Sequence, residues 1–218
     1  MSLDLTAKKR RLIEALVAAE DIRTPAVRAA FEKVPREVFV PEDKLGDTYK
    51  DTPLPLPAGQ TISAPSMIAI MLEEAAFSLG QSVLEIGAGS GYNAALLAEL
   101  VGAERVVSVE RHPELAELAR VNLKRAGYAV EVVLGDGSLG HPPRAPYDRV
   151  LATAGAPRLP AAWGAQLAPN GRIVAPVGRS TFQQVLLIAD KAVDGTLVVR
   201  ESVPCAFVPL VGRDAWRT

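Results

Sequence analysis

The fold is decided by the stretch VLEIGAGSGY, residues 83–92. It begins as a short apolar strand, passes through a glycine-rich turn and enters a helix predicted over residues 92–100. Glycines permit a sharp turn and the close approach of a ligand to bare main chain. The turn leads to a helix N-terminus, where backbone N–H groups are free to bind that ligand. The stretch therefore predicts a ligand site at the tip of a buried strand.

The acid Glu85, placed before Gly87, Gly89 and Gly91, indicates which ligand the turn accepts. A carboxylate repels a pyrophosphate but suits a ligand with positive charge, and S-adenosylmethionine (AdoMet) carries an ammonium and a sulfonium. The spacing also lacks the third glycine of the dinucleotide fingerprint G-x-G-x-x-G, because Tyr92 occupies that position. The pattern favours an AdoMet-dependent methyltransferase over an NAD-dependent dehydrogenase.

Length and composition limit the class of protein. A chain of 218 residues suffices for one well-buried α/β domain and is short for two. The formal net charge of -1 argues against nucleic-acid partners, and no apolar run is long enough to span a membrane. The single cysteine, Cys205, fits a reducing compartment, and two histidines make a metal site unexpected. We expect a cytoplasmic monomer without metal, membrane or nucleic-acid partners.

Strands and helices alternate after residue 80. Apolar runs predict strands over 83–86, 105–109, 130–134, 147–152 and 171–175, with helices over 92–100, 113–126 and 160–167. Such alternation implies right-handed crossovers and a parallel sheet. Two later runs, 182–189 and 197–203, flank Asp194-Gly195 and predict an antiparallel hairpin.

The N-terminal residues are predicted to form helices around a proline-rich loop. Helices are expected over 5–20, over 25–33 with Thr24 as the cap, and from Pro65 to about residue 79. Residues 34–60 are expected to be irregular but packed. We expect a single domain, in which residues 1–79 form the N-terminal helices and the substrate-side loop, and residues 80–218 form the AdoMet-binding core.

Three strand ends carry groups suited to AdoMet. The glycine turn is expected to hold the amino acid, and Glu110 ends the second strand, where its carboxylate can accept both ribose hydroxyls. Asp136 follows the third strand, where it can accept a hydrogen bond from the adenine amino group, and Gly137 lets backbone N–H groups approach the ring. Taken singly, Glu110 can also be an acid that binds the ribose of NAD, or a solvated residue at the end of a strand. Asp136 can be an ordinary turn residue. The combination favours AdoMet.

A further set of motifs resembles the protein-L-isoaspartate O-methyltransferases. The motifs follow the family order from about Thr24 to Gly212, and they are DTPLP (51–55), GQTISAP (59–65), the glycine turn, GDG (135–137), QL (166–167), GRI (171–173), PVG (176–178) and FVPL (207–210). The block at 60–65 is the most specific, since general AdoMet enzymes lack it.

This resemblance implies a fold and an activity. The fold is a doubly wound α/β, Rossmann-like methyltransferase with a mostly parallel seven-stranded sheet, N-terminal helices and a C-terminal antiparallel hairpin. The activity is methyl transfer from AdoMet, which leaves S-adenosylhomocysteine, to the free α-carboxylate of L-isoaspartyl residues in damaged proteins and peptides. The family implies Ser63 as the catalytic residue, with Thr61, Ile62, Val208 and Leu210 beside the peptide.

Departures from the family pattern leave other interpretations open. Ser66 stands where many members carry His or an aromatic residue, Ile68 where some have a second His, and Val211 where Thr is frequent. An AdoMet-dependent methyltransferase acting on another carboxylate is therefore an alternative, and a non-catalytic module that binds AdoMet or a nucleotide is another. From the residues alone, Ser63 can also be the cap of the helix that begins at Pro65.

Overall fold

A computed structural model describes residues 4–180 and 183–216. The N-terminal part contains three α-helices, a two-stranded antiparallel sheet and three 3-10 helices. The α-helices are α1 (Leu5–Ala18), α2 (Pro25–Lys33) and α3 (Pro65–Ala75), the strands are β1 (Leu54–Pro55) and β2 (Thr61–Ile62), and the 3-10 helices are Arg36–Val38, Glu42–Asp47 and Pro57–Gly59.

The remainder forms an α/β core around one sheet. Its elements are β3 (Val83–Ile86), α4 (Tyr92–Val101), β4 (Val106–Glu110), α5 (Pro113–Ala126), β5 (Glu131–Leu134), β6 (Tyr147–Ala152), α6 (Ala161–Gln166), β7 (Leu167–Ser180), β8 (Gln183–Lys191) and β9 (Leu197–Cys205). The seven strands lie in the order β5-β4-β3-β6-β7-β8-β9. Strands β3 to β7 are parallel, β8 is antiparallel to β7, and β9 is antiparallel to β8. This sheet confirms the predicted fold class.

The strand order reverses next to β3. The chain proceeds from β3 outward to β4 and β5, and then returns to place β6 on the other side of β3. Connections on the two sides of such a point diverge, which leaves a crevice at the carboxyl ends of the two central strands. The crevice lies between the turn that begins at Gly87 and the residues that follow Ala152.

An apolar cluster packs the N-terminal helices against the core. Leu12 of α1, Phe31 of α2 and Leu72 of α3 belong to the same buried cluster as Leu97 of α4 and Leu151 of β6. Full burial of such a side chain contributes about 1.5–3 kcal/mol to folding. The helices are thereby held at the side of the sheet where the crevice opens, and the predicted single-domain organisation stays a prediction.

The predicted bounds of α1, α3 and β7 were wrong, and α1 ends at Ala18 rather than at residue 20. Helix α3 ends at Ala75 rather than near residue 79, because Ala76 adopts the left-handed conformation (φ 50°, ψ 63°) and its N–H closes the last turn. Strand β7 extends well beyond 171–175, because β8 pairs with it from Arg172 to Ser180. The start of the predicted hairpin strand at Phe182 lies outside the described residues.

Local signals in the N-terminal part are confirmed. The Thr24 hydroxyl accepts a hydrogen bond from the Val27 N–H at 3.4 Å, and Pro25 occupies the first turn of α2. The proline-rich loop is packed, since Phe39 is buried. Within the described part of the chain, every helix is too short or too polar to cross a bilayer.

Candidate active site

A cavity opens at the carboxyl ends of β3, β4 and β6, and we call it the strand-tip cavity. Its walls come from six parts of the chain. They are Gln60 and Thr61, the glycine turn, the end of β4 with the start of α5, Gly137, the residues 153–154 after β6, and the segment 208–211. The crevice predicted by the strand order is therefore a real concave site.

The three glycines of the turn have different roles. Gly87 (φ 97°) and Gly89 (φ 55°) line the strand-tip cavity, and a Cβ on Gly87 would overlap the hydroxyl of Thr153. Gly91 (φ 89°) instead begins α4, where a Cβ would lie 3.1 Å from the Ala119 carbonyl oxygen on α5. The structure thus brings Gly87 and Gly89 to the cavity and uses Gly91 for helix packing.

The carboxylate of Glu110 is held rigidly in the cavity wall. One of its oxygens accepts a hydrogen bond from the Gly89 N–H at 2.9 Å, and the other accepts one from the His112 N–H at 2.9 Å. The residue is buried, and each carboxylate oxygen has a further acceptor position. The arrangement can present two acceptors to a pair of neighbouring hydroxyls.

Glu85 lies behind the cavities rather than in their walls. Its side chain is fully buried, and it accepts hydrogen bonds from Asn93 Nδ2 at 2.7 Å and from the Ser108 hydroxyl. Burial raises the pKa of Glu85 to about 7, although these two donors oppose the rise. Only Asn93 of this group reaches a cavity. The structure therefore does not bring Glu85 to a ligand, and its influence on a cationic ligand would pass through Asn93.

Asp136 is placed beside the strand-tip cavity. Its Oδ1 accepts hydrogen bonds from the N–H and hydroxyl of Ser138 at 3.0 and 2.7 Å, and its Oδ2 accepts one from the Arg213 N–H at 2.8 Å. Gly137 does line the cavity, and a Cβ there would lie 2.6 Å from Ile86 Cγ2. Asp136 thus fastens the C-terminal segment next to the turn that carries Gly137.

Two further cavities meet at Ser63. The inner cavity lies between α3 and the glycine turn and includes Ile62, and the outer cavity lies between α3 and the segment 205–208. Ser63 lines both, and Thr61 and Thr153 line these two as well as the strand-tip cavity. The three cavities between Glu110 and Ser63 are therefore neighbours that share the walls formed by Thr61 and Thr153.

The interpretation of Ser63 as a helix cap is wrong. Helix α3 has Ala64 at its N-cap position and no side-chain capping hydrogen bond. Among the described residues, none forms a hydrogen bond with the Ser63 hydroxyl; its carbonyl oxygen accepts one from Arg36. The hydroxyl is thus available to a ligand in either cavity.

The C-terminal segment returns to the crevice and supplies Val208 and Leu210. The Gln184 side chain accepts a hydrogen bond from the Phe207 N–H at 2.9 Å and donates one to the Phe207 carbonyl at 3.1 Å. Gly155 binds the same segment through backbone hydrogen bonds of 2.8 Å with Val208 and Leu210. Both residues line the strand-tip cavity, and Val208 also lines the outer cavity.

Thr153 is the main site residue that sequence reasoning missed. It follows β6, and its hydroxyl donates a hydrogen bond to the Gly87 carbonyl at 2.7 Å across the crevice. The signal was its position directly after a predicted strand. That signal is usable only when the strand is known to lie beside β3, which the strand order shows.

Comparison with known proteins decides the family. A family model described as Protein-L-isoaspartate(D-aspartate) O-methyltransferase (PCMT) matches residues 7–215. The chain belongs to this family. Membership confirms the resemblance seen in the motifs, and it confirms the predicted enzyme, an O-methyltransferase for L-isoaspartate in proteins.

Curated relatives named protein-L-isoaspartate O-methyltransferase match over nearly their whole length. The one from Ignicoccus hospitalis is 52% identical over 94% of this chain and 97% of its own. The one from Hyperthermus butylicus is 49% identical over 96% of this chain and 90% of its own. The one from Pyrococcus horikoshii is 48% identical over 98% of this chain and 97% of its own.

Solved structures of similar proteins confirm the fold of this methyltransferase. A protein-L-isoaspartate O-methyltransferase superposes with a TM-score of 0.84 at 32% identity, covering 95% of this chain and 67% of the other. A Plasmodium falciparum protein described as a putative member, in complex with S-adenosyl-L-homocysteine, has a TM-score of 0.82 at 24% identity, covering 93% of this chain and 98% of its own. The roles of the individual site residues stay predictions.

Proposed function

We propose that this chain transfers the methyl group of AdoMet to the free α-carboxylate of L-isoaspartyl residues in damaged proteins and peptides. The observation that carries the proposal is that the strand-tip cavity and the two cavities at Ser63 share Thr61 and Thr153 in their walls. A cofactor in the first and a peptide in the others would meet at this shared wall.

The strand-tip cavity carries groups that are suited to AdoMet. Glu110 presents two fixed acceptors suited to ribose hydroxyls, and Gly87 and Gly89 leave bare main chain for the amino-acid part. We assign the adenine end to Asp136 and Gly137. When bound, AdoMet supplies an already activated methyl group on its sulfonium.

The reaction asks little acid–base chemistry of the protein. An α-carboxylate has a pKa of about 3.5, so it is ionised at neutral pH and needs no general base. What the chain contributes is alignment, which can lower a barrier by roughly 7–11 kcal/mol, and exclusion of water from the anion. The Ser63 hydroxyl can donate one charge-assisted hydrogen bond worth about 1.5–3 kcal/mol without neutralising the nucleophile.

The outer cavity is suited to a peptide. It lies between Pro53 and Met67 on one side and Phe207 and Val208 on the other, so its lining is largely apolar. Thr61 and Ile62 extend this lining toward Ser63. The partner we propose is therefore an exposed, flexible segment of a damaged protein, with no nucleic acid, membrane or metal involved. Action as a cytoplasmic monomer is part of the same proposal.

The proposal is tested by methyl incorporation from labelled AdoMet into an isoaspartyl peptide and into its normal aspartyl twin. We expect labelling of the isoaspartyl peptide alone. Equal labelling of both, or of neither, would contradict the assignment. Calorimetry with AdoMet, S-adenosylhomocysteine and NAD is the companion measurement, and NAD binding without AdoMet binding would contradict the assignment of the cofactor.

Two substitutions separate the proposed substrate and cofactor sites. Ser63→Ala removes the hydrogen bond to the carboxylate, so we expect kcat/KM to fall roughly 10- to 100-fold while the AdoMet Kd changes less than about twofold. Glu110→Gln replaces one acceptor by a donor that faces a backbone N–H, so we expect the AdoMet Kd to rise about tenfold or more. Steady-state kinetics and calorimetry measure both, and the reverse pattern would mean that the two sites are exchanged.

A further inference from the structure

Arg36 is a buried cation next to the proposed substrate site. Its side chain has no exposed surface. Its Nε donates a hydrogen bond to the Thr48 carbonyl at 3.0 Å, and its Nη2 donates one to the Ser63 carbonyl at 3.1 Å. Its guanidinium also lies 4.7 Å above the ring of Tyr92, the first residue of α4. One side chain therefore connects the Ser63 turn with the glycine turn.

No carboxylate of the described residues pairs directly with Arg36, and Tyr92, Tyr49 and Asp51 compensate its charge only in part. The Nη1 of Arg36 is buried and has no hydrogen-bond partner among residues 4–180 and 183–216. Asp51 acts on it only through space, because the Asp51 carboxylate accepts a hydrogen bond from the Ser66 N–H. Burial lowers the pKa of Arg36, as expected for a desolvated cation. A buried cation without a carboxylate partner is costly, so its position calls for a reason.

The position of Arg36 matches the place where the substrate brings a negative charge. The residue whose carbonyl it binds, Ser63, lines both the inner and the outer cavity. Tyr92, under the guanidinium, lines the inner cavity as well. The cation thus lies directly behind the wall against which the substrate carboxylate would rest.

We propose that Arg36 is a positioning residue that balances the charge of the substrate α-carboxylate from behind the Ser63 turn. This inference rests on the proposed function. A direct arginine–carboxylate pair would occupy the oxygen lone pairs and weaken the nucleophile. A guanidinium behind the wall favours the anion through the low-dielectric interior and leaves its oxygens free to attack. It also holds the Ser63 carbonyl, and hence the turn that carries the hydroxyl.

The test measures the preference for a carboxylate over a carboxamide. With S-adenosylhomocysteine present, calorimetry gives the Kd of an isoaspartyl peptide and of its twin whose α-carboxylate is a carboxamide. The variants are Arg36→Met, Arg36→Gln, which keeps a donor without the charge, and Arg36→Lys, which keeps the charge. The matched control is Arg149→Met, since Arg149 binds the Ala75 and Ala76 carbonyls at the opposite end of α3.

We expect the preference for the carboxylate to fall about tenfold or more in Arg36→Met and Arg36→Gln. It should stay within about threefold of the original in Arg36→Lys and Arg149→Met. An unchanged preference in Arg36→Gln, or an equal loss in Arg149→Met, overturns the inference. If the neutral variants do not fold, the inference is tested by the salt dependence of the carboxylate preference in the unmodified enzyme. A buried charge is not screened, so the preference should be the same at low and high salt, and a preference lost at high salt overturns the inference.

The methylation assay with the isoaspartyl peptide separates this inference from the proposed function. If the unmodified enzyme does not methylate the isoaspartyl peptide, the proposed function is wrong. If it does, and the Arg36 variants keep the full preference for the carboxylate, only the role of Arg36 is wrong.

Discussion

The carboxyl group of Glu85 is enclosed between β3, β4 and α4. Asn93 and Ser108 donate hydrogen bonds to it, and burial raises its pKa to about 7, with Glu110 adding to the rise. The carboxyl group therefore keeps its proton to a higher pH than an exposed glutamate does. Protonated or not, it orients the Asn93 amide in the wall of the inner cavity.

Glu85 should make the stability of the protein fall as the pH rises. The pKa of Glu85 is 4.5 in the unfolded chain and is raised to about 7 in the folded protein. The stabilising contribution is complete below about pH 4.5 and is lost as the pH rises to about 7, by roughly 3 kcal/mol in total. Glu85→Gln has no group that ionises here, so it does not lose this stability. The unfolding free energy of the variant, relative to that of the unmodified protein, should therefore increase as the pH rises from about 4.5 to about 7.

Urea unfolding at about pH 5 and pH 8 measures that gain. Glu104→Gln is the control, because the Glu104 side chain is 78% exposed. Its replacement should change the free energy of unfolding by the same amount at both pH values. A difference between Glu85→Gln and the unmodified protein that does not change with pH would refute the buried-acid account.

At the scale of the element, α3 positions Ser63 by where it begins and ends. Pro65 occupies its first turn, which places Ser63 just outside the helix and free of a capping role. Its C-terminal end is set by Ala76 in the left-handed conformation, and Arg149 donates hydrogen bonds to the Ala75 and Ala76 carbonyls there. Nothing in the apolar pattern of residues 65–79 marks this end, because alanine is a strong helix former.

Ala76→Gly should stabilise the protein. A left-handed alanine costs about 1–2 kcal/mol, and glycine removes that cost while losing about 0.5–1 kcal/mol through the unfolded chain. We expect a net gain of about 0.5–1 kcal/mol in the free energy of unfolding, measured by denaturant titration. Ala15→Gly, at an exposed position inside α1, is the matched control and should lose about 1 kcal/mol. A loss at both positions would contradict the account.

At the scale of the whole molecule, the antiparallel end of the sheet completes the site. Strand β8 carries Gln184, whose side chain binds both backbone groups of Phe207. Gly155 lies against that amide, so closely that a Cβ on it would overlap the Gln184 side chain. The segment that supplies Val208 and Leu210 is therefore positioned by residues from two other strand ends.

Gln184→Ala should damage stability and substrate binding together. Two buried backbone groups of Phe207 lose this partner, at about 1–3 kcal/mol each in unfolding free energy. Because Val208 follows directly in the outer cavity, we also expect KM for the isoaspartyl peptide to rise several-fold. Gln183→Ala, one exposed residue away, should change neither quantity, and kinetics with thermal unfolding compare the two. If Gln184→Ala is destabilised but its KM for the isoaspartyl peptide is unchanged, the role of Gln184 is structural only.

The sequence alone predicted the features that depend only on residues close to one another in the chain. The glycine turn, the Thr24 cap, the alternation of strands and helices and the motif at 60–65 are local patterns, so they predicted the fold class and the family. Gly91 is an exception at the residue scale, because its tight contact is with α5.

The tertiary structure decided which residues meet. Thr153 binds Gly87 across 66 positions of sequence, Gln184 binds Phe207 across 23, and Arg36 reaches Ser63 across 27. Contacts of this kind arise only when strand order and helix packing are in place, and no local periodicity encodes them. For the same reason Glu85, which follows a pattern for direct ligand binding, is enclosed by Asn93 and Ser108 instead.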